Sequence, residues 1–310
     1  MGSNPVLLIG TRDGVVALDG VGSLAGHRAG PFTSGSAGDD PVLALVDGTS
    51  VVRRDGSDWR EVARLGERAT CLATSDGTVF VGTVGAHVDV VDTKTARLER
   101  SDAFESAPTR GEWHTPWGGP ADTRSLTVTA DGTVLANVHV GGILRSTDGG
   151  ASWEPTIDLH ADVHQVLAHP RRRGVAFAAA AVGLCRSDDD GITWEIVDEG
   201  LHATYLRAVA IAGDTVLVSA STGPGGSRSA IYRRALDADP DTPFERCRDG
   251  LPEWLAGNID TFCLAGDPDG DLVAFGDHEG AVFVSTDQGR TWDAASSGLG
   301  PVVALTLAKP

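Results

Sequence analysis

Ser146-Thr147-Asp148-Gly149-Gly150-Ala151-Ser152-Trp153 is the stretch that decides the fold, because the chain repeats it. The pattern Ser-x-Asp-x-Gly-x-(Ser/Thr)-Trp returns as Ser187-Asp188-Asp189-Asp190-Gly191-Ile192-Thr193-Trp194 and as Ser285-Thr286-Asp287-Gln288-Gly289-Arg290-Thr291-Trp292. A short apolar alternation precedes each copy: Ile143-Leu144-Arg145, Leu184-Cys185-Arg186 and Val282-Phe283-Val284. This context predicts the turn of a β-hairpin. Ser and Asp side chains bond the turn's own backbone, Gly takes an unusual φ, and Trp opens the return strand against the core. The first two copies lie 41 residues apart and the last two 98 apart, which leaves room for one divergent unit between them. A period of this size, with one antiparallel sheet per unit, predicts a β-propeller.

The phrase is the Asp-box, or BNR repeat, and the chain resembles the BNR-repeat propellers. That family spans sialidases, sortilin-type receptors, photosystem assembly factors and many sialidase-like proteins classed as glycosyl-hydrolase-like. The resemblance implies the fold and gives the box a structural role, so Asp148, Asp189 and Asp287 are read as turn residues. The stretch WHTPWGGPADTRS, residues 113–125, resembles a signature of one bacterial branch of BNR-like proteins. It adds no particular activity.

With 310 residues, 40 Gly, 15 Pro and 5% aromatic residues, the chain suits many short strands and tight turns. One propeller domain over residues 1–310 accounts for all of it. A formal net charge of −18 argues against nucleic acid or an anionic membrane as partner, since both would be repelled. It leaves room for a locally basic pocket. Cys71, Cys185, Cys247 and Cys263 show no CxxC spacing, and three of them sit in apolar runs, so buried thiols are expected. The start, Met1-Gly2-Ser3-Asn4-Pro5, has neither a basic region nor a long apolar run. A cytoplasmic location is the expectation.

Val6–Gly10 and Gly14–Leu18 read as the second and third strands of a sheet that lacks its first. Val302–Leu307 reads as a first strand with no sheet after it, so pairing the two ends would close the ring and remove its edges. Six further units lie between these ends, for seven blades in all. Unit two carries Val42–Leu45, Val51–Arg53 and a shortened box, Asp55-Gly56-Ser57-Asp58-Trp59. Unit three runs from Cys71 to Val90, and the remaining four start near Arg124, His164, Tyr205 and Asn258. Two insertions interrupt the pattern, one at Ser106–Pro120 and one at Ser221–Arg228. Long loops on a rigid frame tend to build binding sites, and the first of these carries Trp113, His114 and Trp117.

Aligning the first strands by their apolar alternation sets Arg124, His164, Arg207 and Asp260 at one level, each two residues ahead of the core-facing set. Asp122, Asp162, Tyr205 and Asn258 stand two residues further up. Either these groups satisfy one another in a wet channel, or they line a small-molecule pocket at the channel mouth. In the pocket reading, Arg124 and Arg207 hold an anionic group. Trp113, Trp117 and Asn258 add substrate contacts. His164, His139, Asp260, Asp122 and Tyr205 are the candidate catalytic groups, as proton carriers and their partners. His114, His139, His164 and His202 are candidate ligands for a divalent transition metal ion, although no tight ligand spacing supports them. Asp277 aligns with His139 through the glycines at 280 and 142, and His160 sits in a loop leading into the fifth unit. His27, His87 and His169 are left out of the site.

Sialidases, by the same resemblance, use an arginine triad, a Tyr nucleophile backed by Glu, and an Asp acid/base on six blades. Here Tyr205 is the one Tyr at the right level, no Glu stands beside it, and the amino-terminal Phe/Tyr-Arg-Ile-Pro motif is absent. True sialidase activity is therefore not expected. Two classes of function stay open: an enzyme or small-molecule-binding protein with a channel-mouth site, or a non-catalytic scaffold that binds another protein.

Overall fold

A computed structural model describes residues 5–18, 22–33, 42–239 and 241–308. Residues 1–4, which bear on the question of a targeting signal, lie outside this set. Among the described residues, 28 strands form seven four-stranded antiparallel sheets, the blades of a seven-bladed β-propeller. No described helix is long and apolar enough to cross a membrane.

Blade 1 has the order Val302–Ala308, Val6–Thr11, Gly14–Ala17, Leu24–Ala25. Its first strand therefore comes from the far end of the sequence, with Leu7 opposite Leu307 and Ile9 opposite Leu305. In this blade strands from both ends of the described chain lie in one hydrogen-bonded sheet, as the unpaired strand patterns require. Blade 3 (Ala69–Ser75 to Arg97–Arg100), blade 4 (Thr123–Val128 to Glu154–Pro155), blade 5 (Val163–Ala168 to Glu195–Val197) and blade 6 (Tyr205–Ala212 to Glu245–Arg246) match the expected units.

Three features of blades 2 and 7 are not visible in the sequence pattern. In blade 2, Leu43–Val46 is the second strand; the first is Ala29–Phe32, whose Gly30 and Pro31 disguise it as loop. The shortened box of that blade is a tight hairpin between Ser50–Asp55 and Asp58–Arg64, in which Asp55 pairs with the Arg53 and Arg60 guanidiniums instead of capping a turn. In blade 7 the first strand is only Leu264–Gly266, because Phe262 takes a φ of 68° and the Cys263 N–H closes a turn onto the Asp260 carbonyl.

The three boxes share one hydrogen-bond pattern. In the first, the Ser146 hydroxyl donates to Asp148 at 2.8 Å, and the Gly150 N–H donates to Ser146 Oγ at 2.8 Å. The Ser152 N–H and hydroxyl then donate to the two Asp148 oxygens at 2.9 and 2.6 Å. Asp189 and Asp287 are held in the same way. The Ser152 hydroxyl and N–H hold Asp148 at a pKa of about 2. Against the burial that raises it, the Thr291 N–H and hydroxyl hold Asp287 at about 2 as well. These carboxylates stay ionised because every bond they accept favours the charge. Gly191 has a φ of 78°, and a Cβ there would lie 2.7 Å from Leu135 Cδ2, so box and neighbouring blade interlock. An arginine on the third strand of one blade clamps the next box: Arg145 Nε donates to the Asp190 carbonyl at 2.9 Å, and Arg233 Nε to that of Gln288 at 3.0 Å.

The chain divides into two compact units. One comprises residues 1–29, 179–184 and 196–310, and the other residues 30–178 and 185–195. The first is built on Leu7, Ile9, Leu217, Ile231, Phe275, Trp292 and their neighbours. The second includes a cluster of Leu43, Leu45, Val51, Leu72, Val81 and Val91.

Candidate functional site

In the second unit, residues from three separate stretches meet around Asp162. Asp162 ends a short 3-10 turn, Leu159–Ala161, in a left-handed conformation with φ 48°. That conformation, sparsely populated by residues other than Gly, sets its carboxylate beside the next strand. Asp162 Oδ2 lies 3.5 Å from His164 Nε2 and its Oδ1 lies 3.8 Å from Arg124 Nη1. The hydrogen bond from His164 is the main cause that holds the Asp162 pKa below its usual value, against partial burial; the charges of His164, Arg124 and His139 act in the same direction. His164 is 1% exposed and Asp162 23%.

Arg124 occupies a β-bulge. The pairing of its strand with Val134–Val138 shifts between Thr123 and Ser125, which leaves Arg124 as the extra residue. A bulge re-aims a side chain, and here it turns the guanidinium toward Asp162. His139 comes directly after the second strand of the same blade, and its N–H donates to the Asp122 carbonyl at 3.0 Å. Asp122 Oδ1 accepts from the Gly85 N–H at 3.1 Å, and Arg68 approaches its Oδ2 at 3.9 Å.

The Ser106–Pro120 insertion reaches the same cluster, and its two tryptophans differ. Trp113 is packed: it lies 5.3 Å from the Phe104 ring, under the Arg110 guanidinium, and its Nε1 donates to Thr109 Oγ1 at 3.1 Å. Trp117 is 76% exposed, and its ring meets that of His139 edge-on at 5.2 Å. A tight turn holds it in place, in which the Gly119 N–H donates to Thr115 Oγ1 at 2.7 Å and the His114 N–H bonds the Val140 carbonyl at 3.1 Å. His114 itself lies on the surface and shares its Nδ1 with the Glu112 carbonyl at 2.9 Å.

In the first unit, Arg207 also sits at a bulge, between Leu206 and Val209, and its Nη1 pairs with Asp260 Oδ1 at 2.7 Å. Equal sequence offsets therefore do not give equal strand positions: the register shifts at Arg124 and Arg207, and Asp260 precedes its strand altogether. Tyr205 opens its strand opposite Ser221. Asn258 Nδ2 donates to the Gly223 and Pro224 carbonyls at 3.4 and 3.2 Å, which ties down the second insertion. Asp277 caps its own turn through the Glu279 and Ala281 N–H groups, both at 2.9 Å. His202 Nδ1 lies 2.8 Å from the Tyr232 hydroxyl.

Among the described residues, no three His, Cys, Asp or Glu side chains are arranged to hold a metal ion. His114 is engaged by the Glu112 carbonyl, and His202 by the Tyr232 hydroxyl. All four cysteines are buried and free. Burial pushes the Cys71 and Cys247 thiols up to about 12 and Cys185 to about 11, and raises Cys263 further still. None is poised as a thiolate nucleophile.

The BNR/Asp-box repeat family matches residues 283–294, the third box with its approach and exit. The chain carries BNR/Asp-box repeats. No curated protein matches it by sequence. Among solved structures it is similar to an ancestral GH74 enzyme, at 14% identity and a TM-score of 0.58, covering 91% of this chain and 39% of that one. It is also similar to the GH74 enzyme of Niastella koreensis, at 14% identity and a TM-score of 0.59, covering 86% and 45%. The chain thus spans less than half the length of these enzymes. YCF48 bound to D1 peptide aligns at 16% identity and a TM-score of 0.55, covering 86% of this chain and 81% of that one. These likenesses establish the propeller fold, which enzymes and a peptide-bound protein share.

Proposed function

We propose that the protein is a binding propeller for a small anionic ligand with a flat apolar face, taken up beside His139, Arg124 and Asp162 under Trp117. The observation that carries this reading is Trp117: a 76% exposed indole braced by its own turn against a buried histidine. An indole fixed by its own turn beside polar groups provides stacking area at little conformational cost. Arg124 supplies a positive charge that the bulge aims at the cluster. Asp162, kept ionised, orients His164 and Arg124 and does not act as a proton donor near neutral pH.

Benzoate, a carboxylate on a flat ring, is the probe of choice. Its titration should change tryptophan fluorescence in the wild type and weaken at least about tenfold in Trp117→Ala, which removes a stacking partner worth about 1.5 kcal/mol or more. Benzoate and phenyl phosphate both leaving the emission unchanged would sink the reading, as would equal binding by the variant. A second reading, a scaffold for a peptide of another protein, draws support from coverage: the peptide-bound YCF48 is matched over most of both chains. A peptide that binds Trp117→Ala and the wild type equally, with no benzoate response in either, would favour that alternative.

A further inference from the structure

Within the first unit, a second cluster joins aromatic rings to arginines. Tyr232, on strand Ala230–Ala235, pairs across the sheet with Arg246 on Glu245–Arg246. Trp254 comes from the segment after that strand, pinned where the Leu255 N–H donates to the Ser229 carbonyl at 2.9 Å. Arg228 immediately precedes Ser229. The Arg246 guanidinium lies 3.9 Å from the centre of the Trp254 ring, and that of Arg228 lies 5.9 Å from it. His202 stacks on Tyr232 at 5.7 Å and meets Trp254 at 5.1 Å.

Three observations set this cluster apart from ordinary packing. First, neither Arg228 nor Arg246 has a carboxylate within ion-pair distance among the described residues, whereas Arg207 and Arg233 of the same unit each have one. Second, Arg228 is exposed and Arg246 is partly exposed, so the pair lies at the surface of the unit. Third, burial lowers the His202 pKa, against a hydrogen bond to the Arg228 backbone that raises it and with the Arg246 and Arg228 charges acting downward, so the imidazole stays neutral and the positive charge resides on the two guanidiniums. In a chain with a formal net charge of −18, a pair of arginines on one indole without its own anion is a local positive pole.

We propose that Arg228 and Arg246, stacked on Trp254, form an oxyanion-binding site for the carboxylate or phosphate group of a ligand. Guanidinium groups suit both oxyanions because their N–H forks match two oxygens at once. The indole holds Arg246 by cation–π attraction, which fixes its fork before the anion arrives. Arg228, exposed beside it, brings the second guanidinium to the anion. The cluster shares no residue with the Trp117 site.

The test is isothermal titration of the full chain at low salt with inorganic phosphate and, separately, with acetate. The wild type, Arg228→Gln and Arg246→Gln are compared, with thermal melts as the control for folding. Arg228 is exposed, so Arg228→Gln should fold even where Arg246→Gln does not. At least one anion should bind the wild type and weaken about tenfold or more in Arg228→Gln, the loss expected for one charged hydrogen bond. Phosphate binding alone would assign a phosphate ligand, and acetate binding would assign a carboxylate. Absence of binding by both anions would overturn the proposal, and so would equal binding by Arg228→Gln. A loss confined to Arg124→Gln would overturn it too, by placing the anion at the Trp117 site; failure of that site would leave the Arg228 result unaffected.

Discussion

Arg124 and Arg207 start from the same sequence position and end in different chemistry. Each stands two residues before the core-facing set of a first strand, and each is thrown out of register by a bulge. Arg207 closes a tight pair at 2.7 Å with Asp260, whose side chain is 53% exposed, so water shares that contact. Arg124 reaches Asp162 at only 3.8 Å, and that carboxylate also serves His164, a residue excluded from solvent. His139 and the Trp117 ring complete the second arrangement, and the first has no counterpart to them. Two arginines alike in sequence can thus form a close ion pair with a half-exposed carboxylate in one place and join a larger polar cluster in another. The chain just beyond each carboxylate makes the difference: a turn into a short strand after Asp260, a buried histidine after Asp162.

The comparison breaks most visibly at the carboxylates. Asp162→Asn keeps the side-chain shape and tolerates the left-handed backbone but removes the charge facing Arg124 and His164. It should cost about 2 kcal/mol in urea unfolding, in the range of hydrogen bonds to charged groups. Asp260→Asn should cost less than about 1 kcal/mol, as solvent-exposed ion pairs do. Equal losses would mean that the two arginines are equivalent after all. Acid sharpens the same contrast. Because its folded pKa is lowered, Asp162 contributes its full stabilisation above the ordinary carboxylate value and loses it as pH falls through the folded value. The stability gap between wild type and Asp162→Asn should therefore close in strong acid; a gap independent of pH would show that charge is not its source. The smallest effect on stability is expected at Trp117. Trp117→Ala should leave the melting transition within about 0.5 kcal/mol of the wild type, while benzoate binding falls. A large destabilisation would make the indole a packing residue and remove the main support for the site.

The fold is legible because its signals are local. Ser, Asp, Gly and Trp at fixed offsets satisfy one turn from within, so three copies announce three hairpins whatever surrounds them. The orphan strand patterns at the two ends point to each other because an unpaired strand needs a partner, and Leu7 opposite Leu307 confirms the pairing. Ala29–Phe32 escapes because a strand with Gly and Pro inside carries no apolar alternation, and only its neighbours make it one. The site is legible in part. Residue type and position single out Asp122, Arg124, His139, Asp162, His164 and Trp117, and these do lie together. The Arg228–Arg246–Trp254 cluster leaves no such trace, since its members come from two loops and a fourth strand with no shared motif.

By itself the sequence determined the repeat, the number of blades and the strand exchange that joins the two ends of the chain, because each arises from periodicity and from groups that bond within a few residues. Tertiary structure alone decided which polar residues work together. Bulges at Arg124 and Arg207, the left-handed backbone of Asp162 and the turn before Leu264 each shift a side chain off the face that alternation assigns it. Those departures arise where strands must fit against neighbours already in place, and a side chain's partners are fixed only when that fit is complete.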